Sequence, residues 1–448
     1  MNDPVDVDGL KVIVIGAGIG GLCLAQGLHK AGVAVEVYER DEHAGSRWEG
    51  YRIHIDPAGA RSLRACLPDA LWQAFLATSG PGGDFGYLTA ALKELVVVEE
   101  SMSYPEGGDP AESHYAVDRR VLRRLLLAGL DDVVSFGAEF RYYEGAGDGR
   151  VAAVFADGRR AVGDVLIGAD GAGSRVSRQY LPDAAPVPAG VGGVAHKLFL
   201  TEQTRSWVPA RLQHGMNLVL DDSPVSLFTS AYLPPPGARK ALERVAGHPP
   251  AGIEAPYILC AINTVPALLP DDLESLDDDA ARRTVDRLIA GWHPDLRRLL
   301  SESDPGSRGG LQFSVSPEVP PWPSTRVTLL GDAIHTMPAT GGLGGNTALR
   351  DARLLTRHLS AADRGERDLL DAVAAYETQM REHGYAAVRA ALKVRDQMLS
   401  HHPLAAFAMR TWLRLCRVSR VLRRRTFQRP PDALAAPRPW EHTTAARP

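Results

Sequence analysis

The first hydrophobic pattern along the chain is a short apolar run, a glycine-rich turn and a segment with helical periodicity. Residues 11–15, KVIVI, are apolar after the first lysine, which is typical of a strand buried on both faces of a parallel sheet. Residues 22–32, LCLAQGLHKAG, have helical spacing of apolar positions and end at a glycine. A second apolar run, 33–39, ends on an acid. This order predicts a βαβ unit with parallel strands.

The middle of the chain has a different pattern. Short runs with strand character, among them HKLFL, MNLVLDD, SLFTSAYLP and YILCAINTVP, are separated by turns rich in proline, glycine and aspartate. Residues 85–104 contain two more such runs. The pattern predicts a mostly antiparallel sheet whose apolar side chains line a pocket.

Two helical patterns follow near the end of the sequence. Residues 370–399 form a long amphipathic stretch, and residues 403–425 form a second one that is strongly basic at its end. Two interpretations of the second stretch stay open. It is a capping helix with a solvated basic tip, which is the simpler interpretation, or it is an amphipathic helix on a membrane surface.

Composition narrows the class of protein. The chain has 448 residues, 45% apolar and 23% charged, which predicts a globular protein of two domains. Its net charge of −4 argues against a nucleic-acid partner. Four scattered cysteines, an acidic start without a signal-peptide pattern, and no long apolar run predict a cytoplasmic protein without a membrane span. The oligomeric state stays open between a monomer and a homodimer.

The turn inside the βαβ unit carries the first chemistry. It reads Gly16-x-Gly18-x-x-Gly21, where the three glycines permit a tight turn, close approach to a pyrophosphate and close packing of helix on strand. Glu39 lies about 20 residues further on, where a carboxylate accepts hydrogen bonds from ribose hydroxyls and repels a 2′-phosphate. The unit predicts a dinucleotide site. The alternative is a glycine-rich turn without a ligand.

A second glycine-rich turn lies at 331–352, GDAIHTMPATGGLGGNTALRDA. It resembles the second FAD motif, G-D-A-x-H, of the flavoprotein aromatic hydroxylases. The resemblance implies that Asp332 binds a ribityl hydroxyl and that the glycines let the backbone lie against the pyrophosphate and the isoalloxazine edge. It also implies that a helix starting at Asn346 points its positive end at the flavin, which favours the anionic reduced form. The alternative is a loop in which Asp332 caps a helix.

Two further segments resemble the same family. Residues 165–182 resemble its D-G motif at Asp170, which serves FAD and the nicotinamide cofactor, although Ser177 stands where that motif has an arginine. Residues 116–127 resemble its R-x-x-L-x-x-x-L segment, and Arg119 matches the arginine. The resemblance implies that Arg119 reaches the pyrophosphate or ribityl oxygens.

Together these motifs resemble the class A FAD-dependent monooxygenases, which have the p-hydroxybenzoate hydroxylase fold. The resemblance implies an α/β protein: a Rossmann-like FAD-binding domain, an inserted mostly antiparallel β substrate domain and a C-terminal helical region. It implies noncovalent FAD, with NAD(P)H as a transient co-substrate. It also implies that a flavin C4a-hydroperoxide formed from O2 transfers one oxygen atom to an aromatic or other apolar small molecule, such as a natural-product intermediate. Hydroxylation is the first expectation.

The resemblance also assigns domains and residues. The expected FAD-binding domain comprises 1–78, 108–182 and 310–398, the substrate domain 79–107 and 183–309, the helical segment 399–430 and a disordered tail 431–448. The candidate cofactor-binding residues are Gly16, Ala17, Gly18, Gly21, Glu39, Arg40, Arg47, Arg119, Asp170, Asp332, Gly342, Gly344, Gly345 and Asn346. Arg52 is a candidate for the flavin edge. No metal site is expected, since the pair His401 and His402 has no third ligand in view.

Several alternatives remain at this stage. An epoxidase, a Baeyer–Villiger oxygenase or a reductase of the same fold would share these motifs. A flavin halogenase is disfavoured because the W-x-W-x-I-P motif is absent. A flavin-containing protein that binds a ligand without turnover, and a plain NAD-linked dehydrogenase, are alternatives from other classes. The sequence pattern does not select the substrate.

Overall fold

The computed structural model describes residues 9–43, 51–103, 108–247, 252–253, 255–399 and 403–427. The strands among them are β1 (Lys11–Ile15), β2 (Ala34–Tyr38), β3 (Arg52–Ile55), β4 (Gly80–Pro81), β5 (Phe85–Thr89), β6 (Glu94–Val98), β7 (Tyr115–Asp118), β8 (Val134–Ser135), β9 (Phe140–Gly145), β10 (Val151–Phe155), β11 (Arg160–Gly163), β12 (Val165–Gly168), β13 (Val187–Phe199), β14 (Met216–Leu220), β15 (Val225–Tyr232), β16 (Tyr257–Thr264), β17 (Gly309–Val315) and β18 (Val327–Leu329). The α-helices are α1 (Ile19–Ala31), α2 (Pro57–Cys66), α3 (Asp69–Thr78), α4 (Glu100–Ser103), α5 (Arg119–Leu127), α6 (Arg175–Tyr180), α7 (Glu202–Arg205), α8 (Ala238–Ala246), α9 (Asp278–Leu288), α10 (Pro294–Ser301), α11 (Asp332–His335), α12 (Gly344–Asp363), α13 (Leu369–Leu399), α14 (Pro403–Val418) and α15 (Arg420–Phe427).

The predicted βαβ unit is β1, α1 and β2, and it forms the centre of a parallel sheet. The strand order is β18-β12-β1-β2-β8. Val12 pairs with Val35 on one side and with Val165 on the other. As predicted, α1 ends at Gly32, which adopts a left-handed φ of 81°.

The carboxyl ends of three neighbouring strands bring the three sequence motifs together. β1 ends just before Gly16, β12 ends just before Asp170, and β18 ends just before Asp332. Because parallel strands have their carboxyl ends at the same edge of a sheet, loops that are far apart in sequence meet there. This edge is the floor of the candidate site.

A seven-stranded sheet covers that edge. Its order is β17-β13-β16-β15-β14-β5-β6, and every pair is antiparallel except β14 with β5. The predicted α/β class with a mostly antiparallel second sheet is therefore confirmed. β3 contacts both α12 and β15, so it lies where the two sheet systems meet.

Helices complete the fold. α13 matches the predicted amphipathic stretch 370–399 to within a residue and packs on α12. The predicted stretch 403–425 is divided at Ser419, whose hydroxyl accepts from the amide of Leu422 at the start of α15. α14 packs on β6, and α15 contacts α4. A search of the described helices finds none long and apolar enough to cross a membrane.

Candidate cofactor and substrate site

One cavity of about 910 Å³ extends from the motif edge of the parallel sheet to the face of the seven-stranded sheet. Its lining changes along the way. Glycine backbone and acidic side chains come from the loops after β1, β2, β12 and β18, while apolar side chains come from β5, β14, β17 and the C-terminal helices. The cavity therefore joins a polar cradle to an apolar chamber.

The three glycines of the first motif differ in their surroundings. Gly16 has φ 108°, and a methyl group placed on it would lie 2.4 Å from the carbonyl oxygen of Ala169. A methyl group on Gly21 would lie 2.2 Å from the oxygen of Gly16. A methyl group on Gly18 would have no atom of the described residues within 4 Å. Gly16 and Gly21 are thus required by the protein's own packing, whereas Gly18 faces open cavity.

Hydrogen bonds fix the position of the Glu39 side chain at the end of β2. Its carboxylate accepts from the amide of Ala17 at 2.8 Å and from the amide of Asp41 at 3.0 Å. Arg123, on α5, donates to the carbonyl of Ala17 at 3.1 Å and lies 3.9 Å from Glu39 and 3.8 Å from Asp41. Sequence analysis missed Arg123, because only the packing of α5 against α1 brings it here.

Asp332 begins the short helix α11, and its side chain is accessible from the cavity. No hydrogen bond joins its carboxylate to another of the described residues. Burial raises the pKa of the carboxyl above its ordinary value, opposed by the positive charges of His335 and Arg119. The carboxylate oxygens are therefore available to a ligand.

A buried carboxylate, that of Asp351, stabilises the turn that carries Asp332. Asp351 accepts from the amide of Gly331 at 2.9 Å and lies 2.6 Å from a ring nitrogen of both His335 and His383. Burial alone raises the pKa of Asp351, but the charges and hydrogen bonds of the two histidines outweigh it and lower that pKa well below its ordinary value. His335 does not line the cavity, so the histidine of the motif supports the turn.

The glycines that follow Asp332 lie open to the cavity. α12 begins at Gly344, two residues before the predicted start. Within the described part of the chain, a methyl group on Gly345 would have no atom within 4 Å, and one on Gly344 would have only ordinary contacts, the shortest at 3.7 Å to Asp332. The free amides at the start of a 20-residue helix therefore face the cavity.

Asp170 and Arg119 also line the cavity. Asp170 is engaged by its own loop: it accepts from the hydroxyl of Ser174 and from the amide of Arg175. Ser174 in turn caps α6. Arg119 begins α5, and its amide donates to the carbonyl of Tyr51 at 3.0 Å.

A polar cluster lies next to β3. Arg52 is buried and donates to the carbonyl of Gly82 at 2.7 Å, and burial lowers the pKa of its guanidinium to about 10. His114 lies 2.6 Å from Glu100, and its ring makes an edge-to-face contact with His54. Burial acts to raise the pKa of Glu100, but the bond and charge of His114 prevail and lower it. Only Arg52 was a candidate from sequence, because Glu100 in α4 and His114 before β7 reach β3 only through the fold.

The chamber beneath the seven-stranded sheet is apolar. The side chains that line it share aromatic or aliphatic character and include Phe85, Tyr87, Met216, Leu218, Leu220, Phe228, Leu259, Phe313, Met409 and Phe427. The last two come from α14 and α15, so the C-terminal helices form part of the wall.

The structure brings most of the predicted residues into this one cavity. Those that line it are Gly16, Ala17, Gly18, Gly21, Glu39, Arg40, Arg52, Arg119, Asp170, Asp332, Gly342, Gly344 and Gly345. Asn346 does not: it is buried behind the turn, where it accepts from the amide of Asp56 and donates to the carbonyl of His54. Arg47 lies outside the described residues, as do His401 and His402. The described residues contain no cluster that would hold a metal ion, and their four cysteines are free and buried.

The donor set fits a flavin dinucleotide. Open glycine backbone at Gly18 and Gly345 leaves room for phosphates and a flat ring, and helix N-termini at α1 and α12 offer amides to anionic groups. Carboxylates at Glu39 and Asp332 match ribose and ribityl hydroxyls. The assignment of individual residues to the cofactor stays a prediction.

Comparison with known proteins agrees with this fit. Residues 311–391 match the model of an FAD binding domain, and residues 14–77 match that of an NAD(P)-binding Rossmann-like domain. The first match identifies FAD as the cofactor. A crystal structure of a putative FAD containing monooxygenase from Photorhabdus luminescens is 32% identical with a TM-score of 0.77, covering 88% of this chain and 99% of that one.

Curated relatives point the same way. A dual O-methyltransferase/FAD-dependent monooxygenase of Phaeosphaeria nodorum is 31% identical over 396 residues. The match covers 82% of this chain and 42% of the relative, so the chain spans less than half of that protein. An FAD-dependent urate hydroxylase of Klebsiella pneumoniae is 28% identical over 83% of this chain and 85% of its own length. The chain belongs to the family of FAD-dependent monooxygenases.

Proposed function

We propose that the chain uses FAD, NAD(P)H and O2 to insert one oxygen atom into an aromatic or other apolar small molecule, by hydroxylation in the first instance. The observation that carries this proposal is the continuity of the cavity. The glycine turns that would hold a dinucleotide line the same cavity as a chamber of aromatic and aliphatic side chains, which could hold an apolar substrate.

The protein's own residues would bind, orient and exclude water. The glycine backbones after β1 and β18 would bind the pyrophosphate through their amides. Asp332 and Glu39 would accept hydrogen bonds from the cofactor's hydroxyls. Bound FAD supplies the redox chemistry and the activation of O2. The apolar chamber would keep water away from the reacting atoms, which favours oxygen transfer over wasteful loss of peroxide.

The pair of Glu100 and His114 is the acid–base group that we propose for the substrate. Glu100 is partly accessible from the cavity, and His114 lies 2.6 Å behind it in a buried position. A substrate hydroxyl that bonds to Glu100 would pass its proton to this pair, which would enrich an aromatic ring in electrons. Glu100→Gln should then lower kcat for a phenolic substrate more than for one without an ionisable hydroxyl.

The relatives support a small-molecule substrate, since one is named for its action on urate. A natural-product intermediate remains our proposal for the substrate class. Arg175 and Arg178, which line the cavity after β12, are the proposed guides for the phosphates of NAD(P)H. We further propose noncovalent FAD, a cytoplasmic monomer or homodimer, and the domain assignment given above.

The test is to measure NAD(P)H oxidation by the purified flavoprotein with panels of phenols, indoles and aromatic polyketides, together with peroxide and isotope-labelled oxygen in the product. Ligand-stimulated oxidation with labelled product would support the proposal. Tight binding of a ligand that leaves NAD(P)H oxidation unchanged would favour the ligand-binding alternative. Labelled oxygen found in a ring-expanded lactone or an epoxide would instead favour one of the same-fold oxygenases.

A further inference from the structure

The helix α14 is apolar on two opposite faces. Its inner face, which includes Leu413 and Cys416, is buried against the seven-stranded sheet. The opposite face carries large apolar side chains in solvent: Leu404 is 74% exposed, Phe407 67% and Val418 81%. Exposed apolar side chains that continue along one face of a helix mark an interaction surface.

The exposed face continues into the next helix. Trp412 and Leu415 extend it on α14, and Val421 extends it on α15. We call these six side chains the outer apolar face: Leu404, Phe407, Trp412, Leu415, Val418 and Val421. Helical spacing places Leu404, Phe407, Leu415 and Val418 on one side of α14, opposite its packed side.

Arginines surround this face. Residues 403–427 contain seven arginines and no acidic residue, in a chain whose net charge is −4. Three of the seven, at 410, 417 and 423, form ion pairs with acids of the fold. The other four, Arg414, Arg420, Arg424 and Arg425, are exposed and have no ion pair with a described residue.

Apolar side chains together with exposed arginines indicate which kind of partner this surface would bind. A second copy of this chain docked through the same face would bring the arginines of both copies together, at an electrostatic cost. Apolar side chains with an arginine rim and a tryptophan are typical of helices that lie in the headgroup region of an anionic bilayer.

We propose that α14 and α15 dock the protein on the surface of anionic lipid bilayers through the outer apolar face, with Arg414, Arg420, Arg424 and Arg425 binding lipid phosphates. The helices lie in the surface and do not span the membrane. This combines the two interpretations that the sequence left open, because one face of α14 caps the fold and the other meets the lipid.

Docking would have a consequence for the site, and this step rests on the proposed function. Met409 and Phe427, from the same two helices, line the cavity. The bilayer would therefore lie one helix away from the apolar chamber. An apolar substrate that partitions into lipid would reach the chamber past these side chains without crossing water.

The experiment is co-sedimentation of the full-length flavoprotein with vesicles of phosphatidylcholine alone or mixed with phosphatidylglycerol, at low and raised salt. We expect binding to the anionic vesicles that weakens as salt rises. Quenching by brominated lipids should also reach Trp412, and Trp412→Phe should remove most of that quenching.

Two variants separate the contributions. Phe407→Ser with Leu415→Ser should weaken vesicle binding at least about tenfold, because two apolar side chains lose their burial in lipid. Replacing Arg414, Arg420, Arg424 and Arg425 by Gln should weaken it by about a thousandfold and remove most of the salt dependence. All six positions are exposed or at the surface, so melting temperature and flavin content should stay unchanged.

Matched controls come from other surfaces. Tyr142→Ser with Leu268→Ser removes two apolar side chains that are 46% and 39% exposed elsewhere. Arg283→Gln with Arg297→Gln removes two exposed arginines of α9 and α10. Both controls should bind vesicles like the wild type.

Several results would overturn the proposal. They are absence of binding to anionic vesicles, equal loss in the controls, and a dimer in sedimentation velocity that Phe407→Ser with Leu415→Ser dissociates. The last would assign the face to a second copy. Vesicle binding needs no turnover, so its failure would leave the proposed oxygenation standing, and failed oxygenation would leave the docking standing.

Discussion

The two ends of the cavity are built by different means. The cradle consists of backbone and a few short-range polar contacts, such as the bond from the amide of Ala17 to Glu39. The chamber consists of side chains from strands that are far apart in sequence, such as β5 and β14, whose parallel pairing sets Tyr87 opposite Leu218. The first end depends on a particular backbone conformation, and the second depends on register.

This difference between backbone and side-chain construction fits the roles that we propose for the two ends of the cavity. A cradle made of backbone has few ways to vary, so it suits a cofactor of constant shape. A chamber made of side chains on a sheet can change its shape by substitution without disturbing the strand pairing. The fold therefore combines a cradle built of backbone, where we propose the cofactor, with a chamber built of side chains, where we propose the substrate.

The largest expected effect is on stability. It distinguishes two glycines that the protein's own packing requires from a third that only a bound ligand would require. Gly16→Ala and Gly21→Ala should each lower the free energy of unfolding by about 3 kcal/mol, because the new methyl group would overlap backbone atoms and Gly16 also has a left-handed φ. Gly18→Ala should unfold like the wild type and lose FAD affinity alone. Denaturant unfolding of the apoprotein measures the first effect and flavin titration the second. Equal stability of all three variants would contradict the distinction.

The cradle could be predicted from the sequence because its conformation depends on residues that are close together along the chain. The glycines of a tight turn and the acid after a strand lie at fixed spacings along the chain. The βαβ unit and the turn at Asp332 could therefore both be predicted. Asn346 shows what local spacing leaves out. It lies in the first turn of α12, which begins two residues earlier than predicted. Its side-chain amide bonds to the backbone of Asp56 and His54, an arrangement that depends on the packing of β3 beside α12.

The chamber was predicted only as a type of structure. Alternating patterns gave strands and a mostly antiparallel sheet, but pairing partners depend on loops whose length does not determine register. Nothing along the chain indicates that β14 pairs in parallel with β5, or that Glu100 meets His114. The residues that would contact a substrate could therefore not be named from sequence.

The second prediction tests whether a flat ring lies against the loop after β18. Gly345→Ala should keep the apoprotein's melting temperature, because a methyl group there meets no atom and alanine favours a helix. Displacement of the ring by about 1 Å would cost on the order of a hundredfold in oxygen transfer. The ratio of oxygenated product to peroxide measures it, beside Gly291→Ala, whose methyl group also meets no atom and which does not line the cavity. If Gly345→Ala couples as well as the control at full FAD occupancy, the ring lies elsewhere.

A third prediction compares the two acids of the cradle. Asp332→Ala and Glu39→Ala should each weaken FAD binding by about ten- to a hundredfold, since a hydrogen bond to a charged acceptor is worth roughly 1.5–3 kcal/mol. Glu39→Ala should also destabilise the apoprotein, because Glu39 accepts from the amides of Ala17 and Asp41, whereas Asp332 has no such bond to a described residue. Flavin titration and apoprotein melting measure the two effects. Full flavin retention by both variants after dialysis would refute the assignment.

The smallest effect concerns the covering sheet, whose buried side chains make it sensitive to acid. Burial, aided by the charge of Arg308, lowers the pKa of His196 in β13 to about 3, and neither ring nitrogen has a hydrogen bond. The unfolded chain binds this proton near pH 6.5 while the folded chain does not, so the contribution of His196 to stability is complete above pH 6.5 and declines as pH falls toward 3. Between pH 6 and 5 the free energy of unfolding should fall by about 1 kcal/mol from this group. His196→Leu should flatten the pH dependence in denaturant unfolding, whereas His214→Leu, at an exposed histidine just before β14 of the same sheet, should not. A slope that His196→Leu leaves intact would show that the acid sensitivity comes from groups outside this sheet.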